Sequence, residues 1–149
     1  MEAYCRRRWG SSGWTNSMIR DGKSDGALFE NWTFWPNTFQ AHRLVLLADK
    51  AGKGNEAKEK MFEMTYERGL NVSSLETLCL AGDELELDGV QEYLSSDEGS
   101  NEVNERVKQA QSKGIDSVPC FVVGDKYILR GAQPPEAFQR TFERVLKES

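Results

Sequence analysis

The sequence predicts a chain of helices that closes with a β-hairpin and a last helix, and three observations carry this prediction. Apolar residues run almost without interruption over 39–51, as expected for a central, buried helix. Two short apolar runs, 119–123 and 127–130, flank the turn sequence at 124–126, which is typical of a hairpin. A final apolar stripe follows two prolines at 134–135, and the first turn of a helix tolerates proline.

Length and charge limit the classes of protein that the chain can represent. Its 149 residues suit a single domain that buries a core without disulfide staples. The net charge of −5 and the pI near 5.0 argue against nucleic acid as a partner, because phosphate binding needs a basic surface. No apolar run approaches the roughly 20 residues that a membrane helix requires, so we expect no membrane partner.

The first 36 residues combine turn-forming residues with crowded aromatic side chains. Residues 20–26 read as a turn-rich loop. We interpret the aromatics as padding of a loop against the helices; exposed, they would mark a contact surface instead. These aromatic residues are Trp9, Trp14, Trp32, Phe34 and Trp35.

Four more helices are predicted between the central helix and the hairpin. Asn37 or Thr38 can cap the central helix, and Ser73 or Ser74 can cap the third. The predicted spans are 56–68, a helix from about 75, 87–94 and 101–113. The acidic side chains between 83 and 105 form either a solvated face or a docking patch for a basic partner.

Helical spacing also predicts which side chains point into the core. In the fifth helix these are Val103, Val107 and Ala110. In the last helix they are Phe138, Phe142, Val145 and Leu146.

The cysteines and the histidine indicate neither a disulfide framework nor a metal site. Cys5, Cys79 and Cys120 are odd in number and widely spaced, which does not fit a set of disulfides. The lone histidine, His42, leaves no group with zinc-ligand spacing. Cys79 is interpreted as a small buried hydrophobic residue. The positive charges of the arginines at 6–8 could lower the pKa of the nearby Cys5 thiol.

Three sequence stretches, taken together, carry a resemblance to a known family: residues 37–43, 114–122 and 131–138. They resemble the DsbA-like domain of cytosolic thiol–disulfide oxidoreductases of the polyketide-cluster type. Relatives of that family include 2-hydroxychromene-2-carboxylate isomerase and the kappa class of glutathione transferase. The Gly-Ala-Gln-Pro-Pro run at 131–135 is specific for the first branch, and the Gly-Ile-x-x-Val-Pro-x-Phe run at 114–121 is typical of the superfamily.

The resemblance implies an α/β, thioredoxin-like fold with a helical insertion. Residues 1–113 would supply the insertion and the connecting helix, and residues 114–149 the hairpin and closing helix. The family pattern begins with a strand, a Cys-x-x-Cys or Ser-x-x-Cys helix start and a second strand, and this first βαβ unit has no counterpart here. We therefore expect residues 1–149 to form a single partial domain, truncated at its N-terminus.

The resemblance also implies a binding turn at Val118 and Pro119. Thioredoxin folds hold this proline in the cis form, facing the active-site cysteines. The main chain of Val118 would then pair with a peptide or with glutathione like an added strand, and Pro119 would shape the site. Without the resemblance, an ordinary proline at the start of a strand is the simpler interpretation.

Cys120 is the candidate catalytic residue, because it directly follows that proline. On a regular strand its side chain points away from Pro119 and into the core, whereas a frayed strand would present it as a reactive thiol. The resemblance places Asn37, Thr38 and His42 near the substrate cleft, as candidate substrate-binding residues. Arg43 is expected on the surface or in an ion pair.

Three functions remain open at this point. The leading hypothesis is a DsbA-like thiol–disulfide oxidoreductase family member whose Cys-x-x-Cys motif is missing from this chain. The second is a protein similar to glutathione-dependent isomerases and transferases, where the bound glutathione thiol does the chemistry. The third is a non-catalytic thioredoxin-like binding module.

The expected partner is a peptide or protein thiol, or glutathione as a co-substrate, and no resident cofactor is expected. The expected location is the cytoplasm, with an organelle matrix as the alternative. Two antiparallel strands are marginally stable alone. We therefore expect a homodimer through the exposed sheet edge, an exchange of elements, or a helical subdomain with a loosely held hairpin.

Overall fold

A computed structural model describes residues 1–27 and 29–148 of the chain. The chain is divided into two compact units. They are Met1–Val103 and Asn104–Ser149. Leu28 and Ser149, which the predicted domain 1–149 includes, lie outside the described residues. The helices are α1 (Glu2–Trp9), α2 (Gly13–Ser24), α3 (Phe39–Lys50), α4 (Gly54–Phe62), α5 (Leu75–Glu84), α6 (Val90–Ser95), α7 (Ser100–Ser112) and α8 (Pro135–Glu148), and the strands are β1 (Cys120–Val123) and β2 (Tyr127–Arg130). The predicted order of helices, hairpin and closing helix is confirmed.

The first unit is built around α3, as the apolar run at 39–51 predicts. This helix packs against α4, α5 and α6. Its Leu44 is fully buried, as are Met64 and Leu78 from neighbouring elements. Ser74 caps α5, since its side chain accepts a hydrogen bond from the Thr77 N–H.

The second predicted helix changes its winding in the middle. The α-helical part ends at Phe62 and continues as a π-helical turn, Glu63–Glu67. The wider turn buries two successive side chains, Met64 and Thr65. Such turns insert an extra residue into a helix and often occur at functional sites.

Residues 1–26 are largely helical, so the prediction of a loop at 20–26 is wrong except at its end. α2 continues to Ser24, and the turn covers only Asp25 and Gly26. The two N-terminal helices are joined by aromatic contacts: the ring centroids of Trp9 and Trp14 are 5.4 Å apart. This tertiary packing overrides the turn propensity of the local sequence.

Arg43 is buried, contrary to the expectation of a surface residue. Its side chain is 2% exposed. It donates hydrogen bonds to main-chain carbonyls in the last turn of α6 and in the residues directly after that helix. Val107 on α7 is also placed differently from its prediction, because it is 49% exposed. Val103, four residues earlier, is buried as predicted.

The second unit contains an antiparallel hairpin and α8. Its two strands pair in the register Cys120 with Arg130 and Val123 with Tyr127. The aromatic ring of Phe121 packs edge-to-face on that of Phe138, with centroids 4.9 Å apart.

The end of α8 is joined to the hairpin by hydrogen bonds and ion pairing. Lys126 and Tyr127 each donate a 2.6 Å hydrogen bond to the Glu148 carboxylate. The hydrogen bond from Lys126, followed by that from Tyr127, holds the pKa of Glu148 below its ordinary value.

Half of the predicted core stripe of α8 lies on the surface. Phe142 is 49% exposed and Leu146 is 76% exposed. The helix contacts the hairpin through Phe138 and through Val145, which approaches Gly124 closely. A two-stranded sheet is too narrow to cover the rest of the stripe. None of the helices in residues 1–27 and 29–148 is both long and apolar enough to cross a membrane.

Candidate functional site

The six predicted site residues fall into two groups, one in each unit. Asn37, Thr38 and His42 lie at the start of α3 in the first unit. The second unit holds the turn at 118–120 that leads into β1.

The turn at Val118 presents main-chain groups to solvent. The Val118–Pro119 peptide bond is cis, and Val118 is 90% exposed. The Pro119 carbonyl accepts a 2.8 Å hydrogen bond from the Gly131 N–H, which joins the turn to the residue after β2. Among the residues that the structure describes, no hydrogen bond reaches the main chain of Val118. Both the N–H and the C=O of Val118 are therefore available to pair with the main chain of an extended peptide.

Cys120 begins β1 directly after this turn, and its side chain is half-buried. Its partner in the strand register is Arg130, whose guanidinium lies 3.6 Å from the Asp116 carboxylate. The other two thiols are less suited to exchange. Cys5 is fully buried, and burial raises the pKa of Cys79, as do the charges of nearby acidic side chains.

Thr38, one of the two predicted candidates, is the N-cap residue of α3, and Asn37, the other, lies directly before it and forms an Asx turn. Its side-chain Oδ1 accepts a 3.0 Å hydrogen bond from the Phe39 N–H, and its own N–H donates to Ser73 Oγ at 2.8 Å. The Thr38 side chain makes no capping bond. The structure thus gives Asn37 a role in positioning the first turn of α3.

Thr38 and His42 line a cavity of about 400 Å³ in the first unit. Four aromatic side chains contribute to its walls: Trp32, Trp35, Phe62 and Tyr66. Their rings contact one another, with centroids 5.6 Å apart for Trp32 and Trp35 and 5.1 Å for Trp32 and Tyr66. The remaining lining residues are Pro36, Ala41, Val45, Lys58, Met61, Thr65 and Val72.

The apolar surroundings of this cavity shift the pKa values of two of its polar side chains, those of His42 and Tyr66. Desolvation by apolar neighbours lowers the pKa of His42, although the residue as a whole is exposed, and this favours the neutral imidazole. Burial raises the pKa of Tyr66, which keeps its phenol protonated. The indole N–H of Trp32 is buried and finds no hydrogen-bond partner among the described residues.

The sequence predicted two of these cavity residues and missed the aromatic walls. The crowding of tryptophans before residue 36 was the available signal of an aromatic cluster. Phe62 and Tyr66 lie far from them in the sequence, so the sequence alone does not show that they line the same cavity. In the part of the chain covered by the structure, no group of three or more His, Cys, Asp or Glu side chains is arranged to hold a metal ion.

Comparison with known proteins agrees with this architecture. No curated protein matches the sequence. The crystal structure of a probable DsbA oxidoreductase from Streptomyces coelicolor superposes with a TM-score of 0.84 at 21% sequence identity. The superposition covers 97% of this chain and 66% of that protein, so the chain spans slightly less than two thirds of its length. The model of the DSBA-like thioredoxin domain matches residues 28–143. The chain therefore belongs to the family of DSBA-like thioredoxin domains.

Proposed function

We propose that the chain provides the substrate-binding surface of a DsbA-like thiol–disulfide oxidoreductase. The substrate is a peptide or protein thiol, bound as an extended segment along the main chain of Val118. The observation that carries this proposal is the 90% exposure of Val118 beside Pro119, with its N–H and C=O unpaired among the described residues. Family membership supports the reaction class.

Binding through the main chain makes a specific prediction about substitutions at Val118. Val118→Pro removes the N–H donor, whereas Val118→Ala keeps both polar groups and serves as the matched control. A peptide with an S-methylated cysteine is titrated calorimetrically into each variant. We expect binding to weaken about 2- to 12-fold in Val118→Pro, the value of one hydrogen bond, and to remain unchanged in Val118→Ala. Equal affinities for the two variants would contradict the proposal.

Reduced glutathione is titrated in parallel, because it is the ligand of the isomerase and transferase alternative. A preference for the peptide supports the oxidoreductase family function. Glutathione binding that excludes the peptide would instead favour the alternative.

Thiol chemistry by this chain alone rests on Cys120. The 149 residues contain no Cys-x-x-Cys pair, which supports a binding role for the chain itself. A lone Cys120 thiolate would attack a substrate disulfide, form a mixed disulfide and release one substrate thiolate; a second thiol, such as dithiothreitol, would then resolve it. Insulin reduction by dithiothreitol, with wild type and Cys120→Ser, separates the two roles. We expect no acceleration by either protein, and an acceleration that Cys120→Ser abolishes would assign the exchange to Cys120.

A further inference from the structure

The cavity of the first unit has the properties of a small-molecule site that the proposed peptide function does not use. Its walls come from the segment before α3, from α3 itself, from α4 and from the π-helical turn. All of its lining residues lie between Trp32 and Val72, within one compact unit. The site therefore rests on packing inside that unit alone.

We propose that this cavity binds a small, neutral, planar aromatic molecule that carries a hydroxyl or carbonyl group. The inference goes beyond the proposed binding of peptide thiols at Val118.

Size and shape favour a ligand of one or two rings. A cavity of about 400 Å³ falls in the lower part of the range for ligand pockets, roughly 300–1,000 Å³. Aromatic walls set at angles to one another offer both ring faces and ring edges. Phe62 and Tyr66 stack with centroids 6.1 Å apart, whereas Trp32 meets Tyr66 edge-to-face. A planar aromatic molecule can meet such walls in the offset and edge-to-face geometries that aromatic pairs prefer.

The polar groups of the lining select a neutral ligand with one hydrogen-bonding group. Thr38, Thr65 and the neutral imidazole of His42 can each donate or accept a hydrogen bond. These three side chains can meet one hydroxyl or carbonyl group of a ligand, whereas the indole N–H of Trp32 is buried away from solvent and is not counted among them.

A charged ligand would lose hydration in this cavity without gaining a buried counter-ion. Lys58 is the only lysine, arginine or carboxylate side chain among the described lining residues. It is exposed, and it donates a 3.2 Å hydrogen bond to Asn55 Oδ1. Its charge therefore lies in solvent, where screening makes an ion pair weak. Burial of an unpaired anion beside the ring faces would be costly, whereas a cation would exchange its hydration for cation–π contacts with those faces alone.

Three naphthalene probes test the proposal by calorimetry and NMR. They are neutral 2-naphthol, anionic 2-naphthoate and cationic (2-naphthyl)trimethylammonium. His42 is the sole histidine of the chain, so its ring signals report directly on occupation of the cavity. We expect 2-naphthol to bind and to shift these signals, and each charged probe to bind at least about tenfold more weakly.

A pair of variants locates the binding. Phe62→Ala removes one aromatic wall from a side chain that is already 55% exposed, so the fold should persist. Leu80→Ala is the control, since Leu80 is 40% exposed in the same unit and does not line the cavity. We expect Phe62→Ala to weaken 2-naphthol binding by about tenfold and Leu80→Ala to leave it unchanged. The proposal is overturned if 2-naphthol does not bind, if a charged probe binds equally well, or if the two variants bind alike.

Discussion

Arg43 holds the end of a neighbouring helix through the carbonyl of Tyr93. Its Nη2 donates a 2.7 Å hydrogen bond to that oxygen, and its guanidinium carbon lies 5.2 Å from the centroid of the Tyr93 ring. Further hydrogen bonds reach the carbonyls of Leu94, Ser96 and Glu98. The last carbonyls of a helix lack donors from a following turn. The buried Arg43 side chain supplies donors to them, beside the Ser96 hydroxyl that also bonds the Tyr93 carbonyl, and it joins α3 to the end of α6.

Replacement of Arg43 should therefore destabilise the first unit strongly. Arg43→Met keeps most of the side-chain volume but removes the charged donor from four main-chain carbonyls, two of them on the buried residues Tyr93 and Leu94, at a cost of about 3–5 kcal/mol in the free energy of unfolding. Arg43→Lys should lose less, because it keeps the charge without the planar fork. Urea unfolding followed by circular dichroism measures both. Arg6→Met, which breaks an exposed ion pair with Glu2, is the control and should change little. An Arg43→Met protein as stable as this control would contradict the assignment.

Gly69 is required where the chain leaves the π-helical turn. Its φ is +66°, and a Cβ there would lie 2.8 Å from the Asn31 carbonyl oxygen. Gly10 has a similar φ of +75° but open space around it. We expect Gly10→Ala to lose about 1 kcal/mol from backbone strain alone.

Gly69→Ala should lose clearly more than Gly10→Ala, because the clash with main chain adds to the strain. Thermal unfolding of the two variants gives the comparison. Equal losses would mean that the segment around Asn31 moves freely away from residue 69.

The ionisation of His42 should follow its place among apolar side chains of the cavity wall. We expect its NMR titration midpoint to lie below the ordinary value of about 6.5, because apolar neighbours disfavour the imidazolium. In the unfolded chain the same group binds its proton more readily. Stability should therefore be complete above about pH 6.5 and decrease as the pH falls through the folded-state pKa.

The effect on stability should be modest, because His42 is exposed to solvent. Urea unfolding of wild type and His42→Gln between pH 7.5 and 5 isolates it, since carboxylates titrate alike in both proteins. A midpoint at or above 6.5 would exclude the proposed environment.

Self-association is expected through the open face of the hairpin. Val122 and Ile128 pair across the strands and are 48% and 43% exposed, while α8 packs on β1 by way of Phe121. An exposed apolar face on a two-stranded sheet favours pairing with a second copy. Sedimentation should show a concentration-dependent dimer that Ile128→Lys weakens and Leu80→Lys does not. A monomer at all concentrations would disprove this prediction.

Periodicity and turn chemistry predicted the elements from α3 to α8 well. The apolar run at 39–51, the cap at Ser74 and the hairpin turn at 124–126 each have a local physical cause that the sequence displays. The same local rules failed before residue 36, where helices α1 and α2 depend on contacts between distant aromatic rings.

The residues of the candidate sites likewise fall into those that the sequence predicted and those that it missed. A family resemblance pointed to Val118, Thr38 and His42, and the exposed turn and the cavity are where those residues lie. The buried role of Arg43 and the joining of Phe62 with Trp32 around one cavity depend on tertiary packing, which no local pattern encodes.

Peptide binding along Val118 is tested best by an NMR titration of the ¹⁵N-labelled chain with the S-methylated cysteine peptide. Main-chain pairing at Val118 predicts that the largest amide shifts occur at Val118, at Cys120 and in the β1 residues that follow. Hydrogen exchange of the Val118 amide should also slow when the peptide is bound. Shifts confined to other surfaces, or no change in the exchange of that amide at saturating peptide, would contradict the account.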